Sequence, residues 1–181
     1  QQIRGIRIIK ALFFFPFVIN LVVVGLVFSW FYNPSYGLLS EILAWAGMEP
    51  IPLLADEDLV TYSIIFAGMW PQVAYCMILY LAGLASLKPE LIEAARIDGA
   101  KGWKMLIWVV LPQLKPASFI AIVVSVVNAL RSFDLIAIMT AGGPWGSSTV
   151  LAYEMYEQSL FNYRMGYGAA IATVLFLIMD V

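Results

Sequence analysis

The sequence predicts an all-α, polytopic membrane protein with about four transmembrane helices and one short polar helix-turn-helix between two of them. Composition is the first observation behind this. The 181 residues are 62% hydrophobic and 12% charged, with mean hydropathy +0.89, whereas a soluble domain is about 45–50% apolar and about 25% charged. The second is that the apolar residues gather into runs long enough to cross a bilayer. The third is that the charges collect in short segments between those runs, so a net charge of -2 describes no single part of the chain. Several function classes fall away at once. With no histidine, histidine-based acid–base catalysis and metal ligation are excluded. Cys76 stands alone in an apolar run, so no disulfide forms within the chain, and it reads as a small packing residue. No basic patch offers itself to nucleic acid.

Taken in order, residues 1–10 carry Arg4, Arg7 and Lys10. Residues 11–31 are apolar apart from Asn20 and Ser29. At ~1.5 Å rise per residue this run is long enough for a hydrocarbon core ~30 Å thick. A signal peptide also pairs positive charge with an apolar run, but this run is too long and no small-residue cleavage site follows. Residues 32–58 form a loop with turn signals at Asn33-Pro34, Tyr36-Gly37 and Pro50-Ile51-Pro52. Within it, Leu38 to Ala46 suits a short interfacial helix with Trp45 at headgroup depth. The second span is expected over 59–87, with a kink at Pro71 after Gly68. Gln72 beside it either satisfies a freed backbone group or faces a pathway. The third span is expected over 105–130, with Pro112 and Pro116 near its start and Lys115 snorkelling toward the preceding loop. After it come Asn128, Arg131, Ser132 and Asp134, then an apolar patch from Leu135 to Met139. Gly142-Gly143-Pro144 marks a tight turn, and Ser147-Ser148-Thr149 suits the cap of a helix from Val150 to Leu160. Residues 166–181 begin a fourth span. The chain starts at Gln1 and ends in an apolar run short of a full span, so a fragment of a longer protein is expected.

The polar stretch at residues 88–104 carries the most information. Pro89 suits the first turn of a helix, where its missing N–H is not needed. Glu90 and Glu93 sit near that helix's positive end. Gly99 provides the positive φ of a C′ position. The spacing predicts one helix over Pro89 to Asp98, a turn over Gly99 to Gly102, and a second helix from Trp103. Leu91, Ala94 and Ala95 share a face. Ala95 and Gly99, four apart, admit the close approach of another backbone. Such a surface fits a docking partner, or an interfacial loop with no partner.

Lys and Arg fix the orientation. Arg4, Arg7, Lys10, Lys88, Arg96, Lys101, Lys104 and Lys115 flank the first span or lie near 88–104, while residues 32–58 hold none. The positive-inside rule therefore places the N-terminal end and the 88–104 loop in the cytoplasm. No Gly-x-x-x-x-Gly-Lys phosphate loop, His-Glu-x-x-His site or Gly-x-Ser-x-Gly elbow occurs. No cofactor is implied. Any ATP-driven work belongs to another chain.

The cluster Asn128, Arg131, Ser132 and Asp134 is the candidate for a solute pathway, because polar residues at membrane depth are expensive and suggest function. Arg131 and Asp134 are three apart and suit pairing on one helical face. The alternative places the cluster at the outer headgroup level, where charge costs far less than the ~2.5–3.5 kcal/mol of the bilayer centre.

The segment Glu93-Ala94-Ala95, with Gly99 beyond it and Leu111-Pro112 downstream, resembles the EAA loop of ABC-importer membrane permeases. It looks most like the carbohydrate type that handles maltose and glycerol phosphate. Further stretches agree, in the family's order: Leu81-Ala82-Gly83-Leu84 with Leu87-Lys88-Pro89-Glu90; Phe133-Asp134 with Thr140-Ala141-Gly142-Gly143-Pro144; and Gly166-Tyr167-Gly168-Ala169-Ala170. The resemblance makes residues 1–181 one partial transmembrane domain, multi-pass in a bacterial or archaeal plasma (inner) membrane. It implies an ATP-binding subunit docked on Glu93, Ala94, Ala95, Arg96, Asp98 and Gly99, which transmits its closure to the spans. It also implies a second permease subunit, homologous or identical, and a periplasmic or extracellular solute-binding protein. Related permeases line the solute path with the stretch that here holds Asn128 to Asp134. The imported solute would be a sugar or related polar molecule. A secondary transporter or channel without an ATPase is the competing class, but it calls for intramembrane carboxylates, and the spans hold almost none beyond Asp180. An intramembrane enzyme lacks any nucleophile motif.

Overall fold

A computed structural model of the chain describes residues 6–179; Arg4 and Asp180 lie outside the described residues. The described residues are helical or irregular, with no strand among them. In order the helices are α1 (Ile6–Val18), α2 (Leu21–Phe31), α3 (Leu38–Trp45), α4 (Val60–Ala85) and α5 (Pro89–Ile97). Then come α6 (Trp103–Met105), a π-helical stretch (Leu106–Val110), α7 (Leu111–Gln113), α8 (Lys115–Leu130) and α9 (Asp134–Met139). Last are α10 (Leu151–Tyr156), a second π stretch (Glu157–Phe161) and α11 (Met165–Met179).

Two expected spans are not continuous helices. The run 11–31 breaks at Ile19 and Asn20, between α1 and α2. The cause is local. Asn20 is extended, with φ -62 and ψ 138, and its side-chain oxygen accepts from the Val22 N–H at 2.8 Å, so it caps a new helix instead of continuing the old one. The run 105–130 breaks at Leu114, and the helices on either side, Trp103–Gln113 and Lys115–Leu130, are bent by 63°. Pro112 and Pro116 explain it. Each removes an N–H from the ladder and crowds the turn before it. The π stretch Leu106–Val110 absorbs the first, and the Gln113 side chain donates to the Val109 carbonyl at 3.0 Å. By contrast α4 runs through Pro71 unbroken. Among the described residues, α4 alone is by itself long and apolar enough to cross a membrane, against the four spans expected. The two broken pairs meet the same length and composition only when each is taken together, and α11 is a shorter apolar helix.

The helices divide into two compact units. The first holds the residues up to Phe17 and Gln72–Val126. Its centre is an antiparallel seam between α4 and α8. Gln72 Nε2 donates to Ser125 Oγ at 2.7 Å, and the Tyr80 hydroxyl donates to Ser118 Oγ at 3.0 Å. Gln72 therefore serves the neighbouring helix rather than a freed carbonyl. At the third contact a Cβ on Gly83 would lie 2.9 Å from Leu114 Cδ2 and 3.2 Å from Ala117 Cβ. Glycine there leaves room for the Leu114 and Ala117 side chains. Gln72, Tyr80 and Gly83 recur on one face of α4, as the helical period requires.

The second unit holds Val18–Pro71 and the residues from Val127 on. Its core joins Val24 of α2, Tyr32, Val60, Ile64 and Ala67 of α4, Leu135, Ile136 and Met139 of α9, and Tyr153 of α10. The buried Tyr32 hydroxyl donates to the Ser63 carbonyl at 3.2 Å, and burial pushes its pKa up to about 12. Much of the remaining surface is apolar: Phe119 on α8, Tyr62 on α4 and Phe176 on α11 are all exposed. A soluble domain does not leave such faces to water.

Candidate functional site

The 88–104 loop follows from its punctuation. α5 begins at Pro89, with extended Lys88 before it, and Glu90 lies in its first turn. Asp98 ends it, its N–H donating to the Ala94 carbonyl at 3.0 Å. Gly99 follows at φ +83, and the Ala100 N–H returns to the Ala95 carbonyl at 2.9 Å, which satisfies carbonyls that a bare helix end would leave open. Gly102, at φ 53, opens the next helix at Trp103. No residue of α5 is buried. Glu93, Ala94, Arg96, Asp98 and Gly99 are exposed and Ala95 is half-buried. Ile97 is 86% exposed and Trp103 77% exposed, so the loop displays apolar side chains outward as well as charged ones. A Cβ on Gly99 would meet nothing within 4 Å, so only its backbone conformation requires glycine.

The second candidate region is rearranged relative to expectation. α8 ends at Leu130 and α9 begins at Asp134, with Arg131 to Phe133 between them in irregular backbone. Arg131 and Asp134 thus do not share a helical face, and the pairing expected from their spacing of three is lost. Asn128 and Arg131 are exposed; Ser132 and Asp134 are half-buried. Neither proline nor glycine stands at this break, which is why the sequence shows no signal for it.

Beside the break lies an open groove of about 330 Å³. Arg131, Phe133, Ala152, Met155, Tyr156, Leu175 and Met179 line it, and its surface is almost wholly apolar. Phe133 and Tyr156 meet edge to face at 5.0 Å between ring centroids, and Phe133 stacks on Tyr153 at 6.1 Å. Burial, and then the charge of Glu157, push the Tyr153 phenol up. Glu154 accepts from Gln158 Nε2 at 2.8 Å. This aromatic wall was not read from the sequence, because in an apolar chain Tyr and Phe look like packing residues. Among the described residues no cluster of His, Cys, Asp or Glu has metal-binding spacing.

The loop between α9 and α10 is held by hydroxyls. The Ser148 hydroxyl donates to the Gly143 carbonyl at 2.7 Å and shares a 2.8 Å hydrogen bond with Thr140 Oγ1. Ser147 Oγ donates to the Pro144 carbonyl at 2.7 Å, and Thr149 Oγ1 to the Gly142 carbonyl at 3.2 Å. These side chains were expected to cap the next helix. They close the loop instead, and α10 starts at Leu151 after an uncapped Val150.

Broken apolar helices, exposed apolar faces and an outward polar helix-turn-helix together define a helical integral membrane protein. The chain belongs to the family of binding-protein-dependent transport system inner membrane components, whose sequence pattern matches residues 4–181. A trehalose/maltose transport system permease protein MalF of Thermococcus litoralis is 32% identical over 182 residues, covering 99% of this chain and 60% of the relative. An sn-glycerol-3-phosphate transport system permease protein UgpA of Agrobacterium fabrum is 32% identical over 180 residues, 99% of this chain and 61% of the relative. A probable ABC transporter permease protein of Pyrococcus horikoshii is 38% identical over 170 residues, 93% of this chain and 58% of the relative. Among solved structures, a bacterial alginate ABC transporter in complex with an alginate pentasaccharide-bound periplasmic protein superposes with TM-score 0.83 at 25% identity, over 96% of this chain and 62% of that one. The chain thus spans less than two thirds of the length of each of these proteins.

Proposed function

We propose that this chain is the membrane-spanning permease part of an ATP-driven, binding-protein-dependent importer of sugars or related polar solutes. The observation that carries the reading is the exposed, capped helix-turn-helix at Pro89 to Trp103 in a chain with no phosphate-binding loop. An ATP-binding subunit docks there, against Glu93, Ala94, Ala95, Arg96, Asp98 and Gly99, and its closure moves the spans. ATP hydrolysis belongs to that separate subunit. A second permease subunit, homologous or identical, completes the pathway, and a solute-binding protein delivers the solute from the other side. Asn128, Arg131, Ser132 and Asp134 face the solute path. The spans follow residues 11–31, 59–87, 105–130 and 166–181, with the two helix breaks inside the first and third. The relatives named for trehalose and maltose and for glycerol phosphate support a carbohydrate-type solute.

The orientation follows the Lys/Arg asymmetry, with the 88–104 loop in the cytoplasm. Two experiments test the reading in the full-length protein. Affinity purification should bring down an ATPase subunit from the wild type, and Glu93→Lys should release it or leave hydrolysis uncoupled from uptake. In a Cys76→Ser background, cysteines at Ser40 and Ser147 should react with an impermeant thiol reagent from outside, and one at Lys101 only from inside. Labelling of Lys101 from outside would reverse the topology.

A further inference from the structure

The 88–104 loop has a long helix on each side. α4 ends at Ala85, just before it, and α8 starts at Lys115, beyond the bend that follows it. A push received on α5 is split between two separate helices unless something holds them in step. The seam supplies three ties in one antiparallel register: Gly83 against Leu114 and Ala117, the Tyr80 hydroxyl on Ser118, and Gln72 Nε2 on Ser125. From Gly83 to Gln72 these ties run about 17 Å along α4 at helical rise. On α8, Ala121 lies on the same face between Ser118 and Ser125 and is only 4% exposed, and Ser125 Oγ donates to its carbonyl at 2.6 Å. The first unit ends where the ties end, at Gln72 on α4 and Val126 on α8. In a bilayer, burial of apolar surface gives two helices no reason to stay together. Close packing at small residues and interhelical hydrogen bonds do that instead, and this seam has both.

We propose that this seam stays closed throughout the transport cycle, so that α4 and α8 carry a displacement of the 88–104 loop as one lever and no solute passes between them. Gln72 and Tyr80 are then positioning residues for coupling. They touch neither the ATPase subunit nor the solute, and act by keeping the two helices in step. The inference rests on the docking of an ATPase subunit at the 88–104 loop and adds to it how the movement leaves that loop.

The test uses the full-length transporter with its ATPase subunit, in a background free of other cysteines. The Cβ atoms of Gly83→Cys and Ala117→Cys would lie 3.2 Å apart, close to the ~3.5–4.5 Å of disulfides. The pair should oxidise, and the oxidised protein should import solute as fast as the same sample after reduction. Loss of import on oxidation, recovered by reductant, overturns the inference, because the seam must then open. Failure of the pair to oxidise overturns it too, because the helices then do not stay in contact. The second arm cuts the polar ties. Losing two interhelical hydrogen bonds of average strength in a bilayer shifts a closed-to-parted equilibrium about eightfold. Gln72→Leu with Tyr80→Phe should therefore raise the ATP hydrolysed per solute imported about twofold or more, with the ATPase subunit still attached. This ratio does not depend on membrane abundance. An unchanged ratio overturns the lever and leaves the docking reading standing. Import by the wild type with no ATPase subunit attached overturns the docking reading and this inference with it.

Discussion

Gly99 and Gly142 both sit in turns at positive φ, and their surroundings differ. At Gly99 the added Cβ would touch nothing; at Gly142, with φ +80, it would lie 2.8 Å from Thr149 Oγ1 and 3.0 Å from Tyr153 Cε1. The Gly142 turn is closed by Ser147, Ser148 and Thr149 hydroxyls and packs on the second unit's core through Tyr153. The Gly99 turn makes only backbone hydrogen bonds and no residue of α5 is fully buried. One turn is complete in itself. The other has its shape set and its surface left free, as a segment built to meet another protein would be.

The largest expected effect is at the closed turn. Gly142→Val combines a left-handed conformation that a β-branched residue rejects with two contacts too short to keep, for about 2–5 kcal/mol. The thermal midpoint and membrane abundance of the full-length protein should both fall. Near-normal abundance would show that the loop yields more easily than its hydrogen bonds suggest.

At the open turn, Gly99→Val should cost only the conformational part, about 1–2 kcal/mol, with no steric clash. Abundance should stay near wild type while uptake falls and the ATPase subunit detaches or hydrolyses without transport. Wild-type uptake at equal abundance would remove the coupling role. Gly99→Ala, compared with Gly99→Val, separates backbone strain from side-chain bulk on the docking face: similar losses point to strain, and a much larger loss for valine points to a tight partner surface.

The smallest effect is in the core that supports the closed turn. Tyr32→Phe removes a buried hydrogen bond to the Ser63 carbonyl, worth about 0.5–1.5 kcal/mol. Its pH signature has a definite sign. The folded state holds the phenol proton up to about pH 12 against the ordinary 10.0, so this stabilisation is complete below pH 10 and is lost as pH rises toward 12. The difference in melting temperature between wild type and Tyr32→Phe should narrow across that window. A constant difference would mean that the phenol ionises alike in both states.

The same contrast explains what the sequence made legible. The helix at Pro89, the turn at Gly99 and the restart near Trp103 were readable because proline and glycine act on their own backbone, whatever surrounds them. The overall helical membrane class was readable because composition is an average that packing does not alter. The break at Asn20 was not: a lone asparagine in an apolar run reads as an interruption of polarity, and only its hydrogen bond to Val22 makes it a cap. The break at Arg131 to Phe133 carries no local signal, since the residues that hold it belong to the core around Leu135 and to the Phe133–Tyr156 contact. The Ser147 to Thr149 hydroxyls were rightly read as hydrogen-bonding residues, but sequence order alone could not say whether they would close the loop behind them or cap the helix ahead.

The bend at Leu114 also bears on how the chain enters a bilayer. α8 has 16 residues, or ~24 Å at helical rise, which is short of a ~30 Å hydrocarbon core. Pro116 has no N–H to offer the Pro112 carbonyl one turn back, and lipid has no group to replace it. The neighbour that shelters this end is α4, through Gly83 against Leu114 and Tyr80 against Ser118. A chain lacking α4 would leave this end of α8 without its polar and close-packed neighbour, so retention of the segment is expected to depend on α4 as well as on its own hydrophobicity.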